Sequence, residues 1–270
     1  MRTTKIFLVD WEDACELGLV DGETRAEVTA RGRRPSWVEI RLDGHDEEAR
    51  RLLDRLEDND AWFHLHEERR FSRRELRDAK YLHVDTAFEV ECRPGEGSTW
   101  DWSGACEHCM RVPEQTGPIA VAPADLESAM AARGRRGEFL VHERVATRMI
   151  KDGISGCLLR EVLYETESGH EPSPFFQVIP TVSLPTVVSP PTRFASTDAA
   201  CPHCGRGGLY LESMLYYDID LGDLADVNVT SELFGEGPSL SPEVVISPRF
   251  FNLMVSCGVH FDTSEPVMFV

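Results

Sequence analysis

Cys106-Glu107-His108-Cys109 and Cys201-Pro202-His203-Cys204 are the two CxxC arrangements in the chain. Two-residue spacing lets one turn aim both sulfurs at a single ion, so each pair can close half of a tetrahedral shell. Together Cys106, Cys109, Cys201 and Cys204 form the full ligand set of a structural zinc site, with no position left for water or substrate. Zn2+ is the expected cofactor. Its expected role is to tie the middle of the chain to its C-terminal third and so contribute folding energy. Gly205, Gly207 and Gly208 allow a tight turn after the second pair, whereas Met110 stands after the first where Gly205 stands after the second. His108 and His203 share these turns but bind less softly than thiolates, so both are expected outside the shell. Cys15, Cys92, Cys157 and Cys257 read as buried thiols, and the whole pattern as a metal site rather than a disulfide framework. A closed metal shell speaks for stability, and the function must lie elsewhere on the surface.

Other chemistry-bearing residues are scattered. His64 and His66 share a strand face and could hold a metal with Asp60, although such alternation beside Trp62 also reads as a half-exposed sheet surface. Gly205-Arg206-Gly207-Gly208 follows a cysteine turn and carries no Lys-Ser/Thr, so it is not a phosphate cradle; nucleophile-elbow, HExxH and dinucleotide-binding patterns are absent. Asp218, Asp220, Asp223 and Asp226 lack the spacing of a calcium loop. With Tyr216 and Tyr217 beside them they form a candidate contact surface for a basic partner. The alternative is an enzyme whose pocket is assembled from dispersed His, Asp and Arg with perturbed titrations.

Charge narrows the partner. Lys plus Arg number 28 and Asp plus Glu 47, a formal net charge of −19. That field opposes nucleic acid and anionic membrane surfaces and speeds encounter with a basic protein. A nucleic-acid-binding zinc ribbon would need Arg69, Arg70, Arg73, Arg74 and Arg77, or Arg133, Arg135 and Arg136, to stand as an isolated basic face. No apolar run of about 18 residues occurs, and Asp10, Glu12 and Asp13 cut short the apolar run near the start. The expected location is cytoplasmic.

These groups must be positioned by a mixed α/β fold. Residues 1–78 read as a small α/β unit: strands at 5–9, 36–42 and 61–66, and a helix over 46–59 with Leu52, Leu53 and Leu56 on its apolar stripe. The strand at 36–42 leaves open whether Trp37 or Val38 faces the core. Residues 79–170 and 171–270 each carry one CxxC pair and read as two similar strand–helix–strand units stapled by the four cysteines. A strand is expected over 81–91 and a helix over 125–133. Residues 175–188 read as a strand-like run, placed at an edge or in an extended connection by Pro180 and Pro185. Residues 141–154 can be laid on 246–259 at an offset of 105 residues, with Arg, Met and Gly coinciding. Gly153 and Gly258 suit left-handed helix stops, His142 and Ser247 fall at the caps, and Pro248 suits a first helical turn.

Cys201-Pro202-His203-Cys204-Gly205-Arg206, the helix start Ile246-Ser247-Pro248-Arg249-Phe250, and the stretch 149–156 ending in Ile-Ser-Gly resemble a family of myxobacterial paralogues with two CxxCG motifs. The resemblance covers residues 81–270. It implies an immunity protein, a cytoplasmic antidote that binds and neutralises a protein toxin delivered by sibling cells. The chain departs from the family where Met110 replaces the first motif's glycine, and where the first motif lies far into the chain, after an N-terminal unit of about 80 residues, whereas the family places it nearer the start.

Overall fold

The computed structural model describes residues 1–21, 35–43, 47–93, 100–101, 103–104, 106–108, 114–196, 200–235 and 240–270, without the side chains of His64, His66, Glu114, Ala195, Ser196 and Asp223. The fold is mixed α and β, as expected, and divides into two compact units, Met1–Ser72 and Arg73–Val270.

In the first unit β1 (Arg2–Asp10) leads into α1 (Trp11–Glu16), followed by β2 (Trp37–Asp43), α2 (Glu47–Asp58) and β3 (Phe63–Arg70). β1 lies between β2 and β3, antiparallel to both. Alternation does the sorting. Phe7 and Val9 of β1 face a core completed by Ala14, Ala49, Leu52 and Leu56, each large apolar side chain contributing roughly 2 kcal/mol by burial. The rung Val9–Val38 turns Val38 inward, so Trp37, on the next rung beside Asp10, turns outward. Asp60, at φ 49, takes the left-handed conformation that ends α2, and the Ala61 N–H returns to the Leu56 carbonyl.

The second unit runs α3 (Arg73–Asp78), β4 (Leu82–Thr86), β5 (Glu89–Val90), β6 (Trp100–Asp101), β7 (Glu114–Gln115), β8 (Ile119–Val121), α4 (Pro123–Leu126), β9 (Ala131–Gly134), β10 (Phe139–His142) and α5 (Glu143–Asp152). It continues with β11 (Cys157–Thr166), β12 (Gly169–Pro180), β13 (Phe194–Ser196), β14 (Leu209–Leu211), β15 (Tyr216–Tyr217), β16 (Val227–Val229), β17 (Val244–Ile246), α6 (Pro248–Ser256), β18 (Phe261–Pro266) and β19 (Met268–Phe269). The main sheets have the orders β5-β9-β10-β12-β11-β8 and β16-β17-β4-β18.

The two halves of the sequence repeat share one topology. β10 passes through α5 to β11, and β17 passes through α6 to β18; each strand pair brackets one antiparallel strand, β12 in the first sheet and β4 in the second. β9 and β16 hold equivalent places beside β10 and β17. Yet β4 precedes the first repeat in the chain and β12 precedes the second. β12 follows β11 directly as a hairpin, so the first sheet is built from residues 89–180 alone, whereas the second sheet takes β4 from ahead of the first repeat. Val145, Ala146 and Met149 of α5 share one core with Phe250, Leu253 and Met254 of α6.

Local chemistry repeats at the same offset. His142 Nδ1 accepts from the Arg144 N–H, and Ser247 Oγ accepts from the Phe250 N–H. Gly153 and Gly258 both have positive φ. The Gly153 and Ile154 N–H groups return to Ile150 and Met149, and those of Gly258 and Val259 to Val255 and Met254. The matched apolar pair Ile150 and Val255 faces solvent rather than the core.

Three expected features take other forms. The first unit ends at Ser72, so residues 73–78 form α3 in the second unit. The expected boundary at 170/171 falls within β12, and residues on both sides of it share one sheet. Residues 181–188 run as a connection outside the strands, but β12 itself is central, not at an edge. Its prolines are tolerated because β10 pairs only with Phe175–Val178, which leaves the Pro172–Pro174 stretch with one neighbour, beside an irregularity at Glu161/Leu163.

The Ile154-Ser155-Gly156 turn joins the two repeats. The Val227 N–H donates to the Ser155 carbonyl and the Thr181 N–H to the Gly156 carbonyl. Gly156 has φ +81, and a Cβ there would run into Ala225 and the Val227 carbonyl oxygen. Gly156→Ala is expected to lower the unfolding free energy by about 2 kcal/mol. Urea denaturation reads it, and an unchanged midpoint would show that the turn yields at no cost.

Candidate metal centre

The second cysteine pair sits in the connection between β13 and β14, which pair antiparallel and hold the two ends of the loop together. The Gly205 N–H donates to the Cys201 carbonyl at 2.8 Å, and the Cys201 N–H to the Arg206 carbonyl at 3.0 Å. Gly205 takes φ +65, which closes this turn without a Cβ penalty. Backbone N–H groups of Cys204 and His203 point at the Cys201 sulfur and hold its thiol below the usual cysteine value. The first pair follows β6, where Asp101 accepts from the Ser103 N–H and starts a turn.

The two turns meet. Cys106 Sγ lies 3.7 Å from Cys201 Sγ, and the sulfurs of Cys106, Cys201 and Cys204 all lie within 4.8 Å of one another. Sulfurs held about 2.3 Å from a tetrahedral ion stand about 3.8 Å apart. Spacing, thiolate-favouring N–H groups and partial burial all fit a metal ion held by these three thiols. Cys109, the expected fourth ligand, lies outside the described residues. His108 and His203 are both exposed, with ring centroids 3.5 Å apart beside the sulfurs.

The expected tyrosine and aspartate surface is largely dismantled. Tyr217 is fully buried among Leu184, Val187, Leu215, Phe234 and Val267, and so is a core residue rather than a surface anchor. Burial pushes its phenol well above the usual value. Asp226 is also buried: Oδ1 accepts from Ser247 Oγ at 2.6 Å, and Oδ2 from the Ser155 N–H, Ser155 Oγ and Arg249 Nη1. It ties the start of α6 to the turn after α5. Tyr216 is half-buried, and its N–H donates to Thr192 Oγ1. Asp218 and Asp220 are exposed, and Asp220 accepts from the Gly222 N–H. The Asp223 side chain, like those of His64 and His66, lies outside the described residues.

A buried ionic network also went unread in the sequence. His83 Nε2 lies 3.1 Å from Glu243 Oε2, and Arg133 Nη1 lies 3.0 Å from the same oxygen and 3.2 Å from Asp85 Oδ1. Ser241 Oγ accepts from Arg133 Nη2. Asp85, Arg133, Ser241 and Glu243 line a cleft of about 560 Å³. Burial works against both charges of the His83–Glu243 pair. Mutual hydrogen bonding and attraction prevail, holding the Glu243 carboxyl down to about 2 and raising His83. Only the alternation around His83 could have hinted at this, since its partners are distant in sequence.

Most of the arginines singled out in the sequence lie beside an acid or an aromatic ring. Arg133 belongs to the buried network, Arg135 faces Glu89, and Arg136 lies over the Trp100 ring. Arg70, Arg74 and Arg77 each lie beside Glu68 or Asp78. Among the described residues no helix is long and apolar enough to cross a membrane.

Fold and site together define a mixed α and β protein with a three-cysteine cluster able to bind a metal ion. No protein-family model matches the chain, and no curated protein matches it.

Proposed function

We propose that this is a metal-stapled binding protein of the immunity type. In this reading it neutralises a basic protein toxin by stoichiometric contact, with zinc held by Cys106, Cys109, Cys201 and Cys204. The observation that carries the reading is the meeting of Cys106, Cys201 and Cys204 from turns far apart in the chain. It supports a metal used to hold two halves together, the role that the double-CxxC resemblance implies. Cys109, as fourth ligand, closes the shell and leaves the ion no substrate position. The net charge of −19 supports a basic partner, and the pairing of arginines with acids supports a protein rather than a nucleic acid.

The test is titration of the purified chain against any basic protein encoded beside its gene. A single stoichiometric complex is expected, with an association rate that falls roughly tenfold or more from low to moderate salt. Absence of a complex would defeat the immunity reading, and a salt-independent rate would defeat the electrostatic part of it.

A further inference from the structure

We propose that Trp37, Asp10 and Trp62, at one end of the first unit's sheet, form a docking site for an arginine side chain of a basic protein partner. This deepens the binding reading above and rests on it for the partner's existence. Tryptophan is ordinarily well buried, and Trp11 in the same unit is 8% exposed, but Trp37 is 54% and Trp62 59% exposed. A single exposed tryptophan needs no explanation; two on one rung form a patch.

The register places them together. Asp10 is the direct partner of Trp37, and Val9 is the partner of both Val38 and Phe63. One rung on, the Asp10 N–H donates to the Trp62 carbonyl at 3.1 Å. The two tryptophans therefore flank Asp10 from opposite sides, their backbones about 10 Å apart at ordinary strand spacing.

Two carboxylates are held beside them. Asp10 Oδ1 accepts from the N–H groups of Glu12 and Asp13, and Asp13 Oδ2 accepts from the Trp62 N–H at 2.7 Å. The second backbone contact holds Trp62 in place just before β3 begins. Two exposed indoles with carboxylates beside them suit a cation. Guanidinium fits better than ammonium, because it stacks flat on indole while its N–H fork reaches the carboxylates. Trp and Arg are also the residues that most often anchor protein interfaces.

The experiment uses the full chain with hexa-arginine and hexa-lysine peptides at about 0.15 M salt, where diffuse attraction is screened. Indole N–H signals in NMR spectra and titration calorimetry give the readouts. Trp37 and Trp62 signals are expected to shift with the arginine peptide and less with the lysine peptide. The double variant Trp37→Ala/Trp62→Ala is expected to bind the arginine peptide about tenfold more weakly with an unchanged melting temperature. Asp10→Asn, which keeps an oxygen to accept the two N–H groups, is expected to weaken binding severalfold. Equal binding by wild type and the double variant overturns the docking site. If the partner encoded beside the gene binds both forms equally, the site is wrong and the immunity reading stands. If tryptophan-dependent peptide binding is found but no such partner binds, the site stands and the immunity reading falls.

Discussion

Cys204→Ser is expected to abolish stoichiometric zinc binding and to lower the melting temperature of the Arg73–Val270 unit by roughly 10–15 °C. The size follows from what the centre joins. Cys106 and Cys201 belong to turns some 95 residues apart in sequence, yet their sulfurs lie 3.7 Å apart. A cross-link that closes a loop of this length removes enough unfolded-chain entropy to stabilise by about 4–5 kcal/mol in the loop-closure account. In a unit of about 200 residues, each kcal/mol moves the midpoint by about 2–4 °C. The shared core of α5 and α6 does not depend on the metal, so the variant is expected to fold and to melt early rather than to remain unfolded. Elemental analysis and calorimetry with and without chelator provide the check. Chelation of the wild type should reproduce the variant's midpoint, and chelator should leave the variant unchanged. A wild-type protein that carries no zinc, or a variant that melts like wild type, would sink the staple.

What could be read from the sequence was what local chemistry dictates. The caps of α5 and α6 were legible because His142, Ser247, Gly153 and Gly258 act within one helical turn of their own position. The cysteine turns were legible for the same reason: two-residue spacing is a property of one turn. What failed depended on partners far along the chain. Residues 125–133 carry a helical pattern, but only Pro123–Leu126 is helical; Ala131–Gly134 becomes β9 because β10 on one side and β5 on the other offer it backbone partners. Trp37 and Val38 could not be ranked until the rung with Val9 settled which faced the core. Tyr217 and Asp226 resembled their exposed neighbours Asp218 and Asp220 in type and spacing. Packing against Leu184, Leu215, Phe234 and Val267 buries the first, and the distant Ser155, Ser247 and Arg249 engage the second. The placing of β4 in the second repeat's sheet has no local signal at all.

The same distance concealed the network around Glu243, and its removal is expected to have the other large effect. Glu243→Gln is expected to cost about 3 kcal/mol at mildly acidic pH, since removing one member of a buried ion pair leaves the others uncompensated. Glu243 Oε2 serves both His83 and Arg133, and Asp85, itself part-exposed, would remain beside Arg133. The pH dependence has a definite sign. The Glu243 carboxyl is depressed from 4.5 to about 2, so its contribution is present above 4.5 and is lost as pH falls toward 2. His83 is raised from 6.5, so its contribution is complete below 6.5 and is lost as pH rises through the raised value. The difference between wild type and Glu243→Gln should therefore be largest between pH 4.5 and 6.5 and shrink on both sides. Urea denaturation across that range measures it directly. A difference that stays constant with pH would mean that the variant acts through shape alone and that His83 and Glu243 do not titrate as a pair.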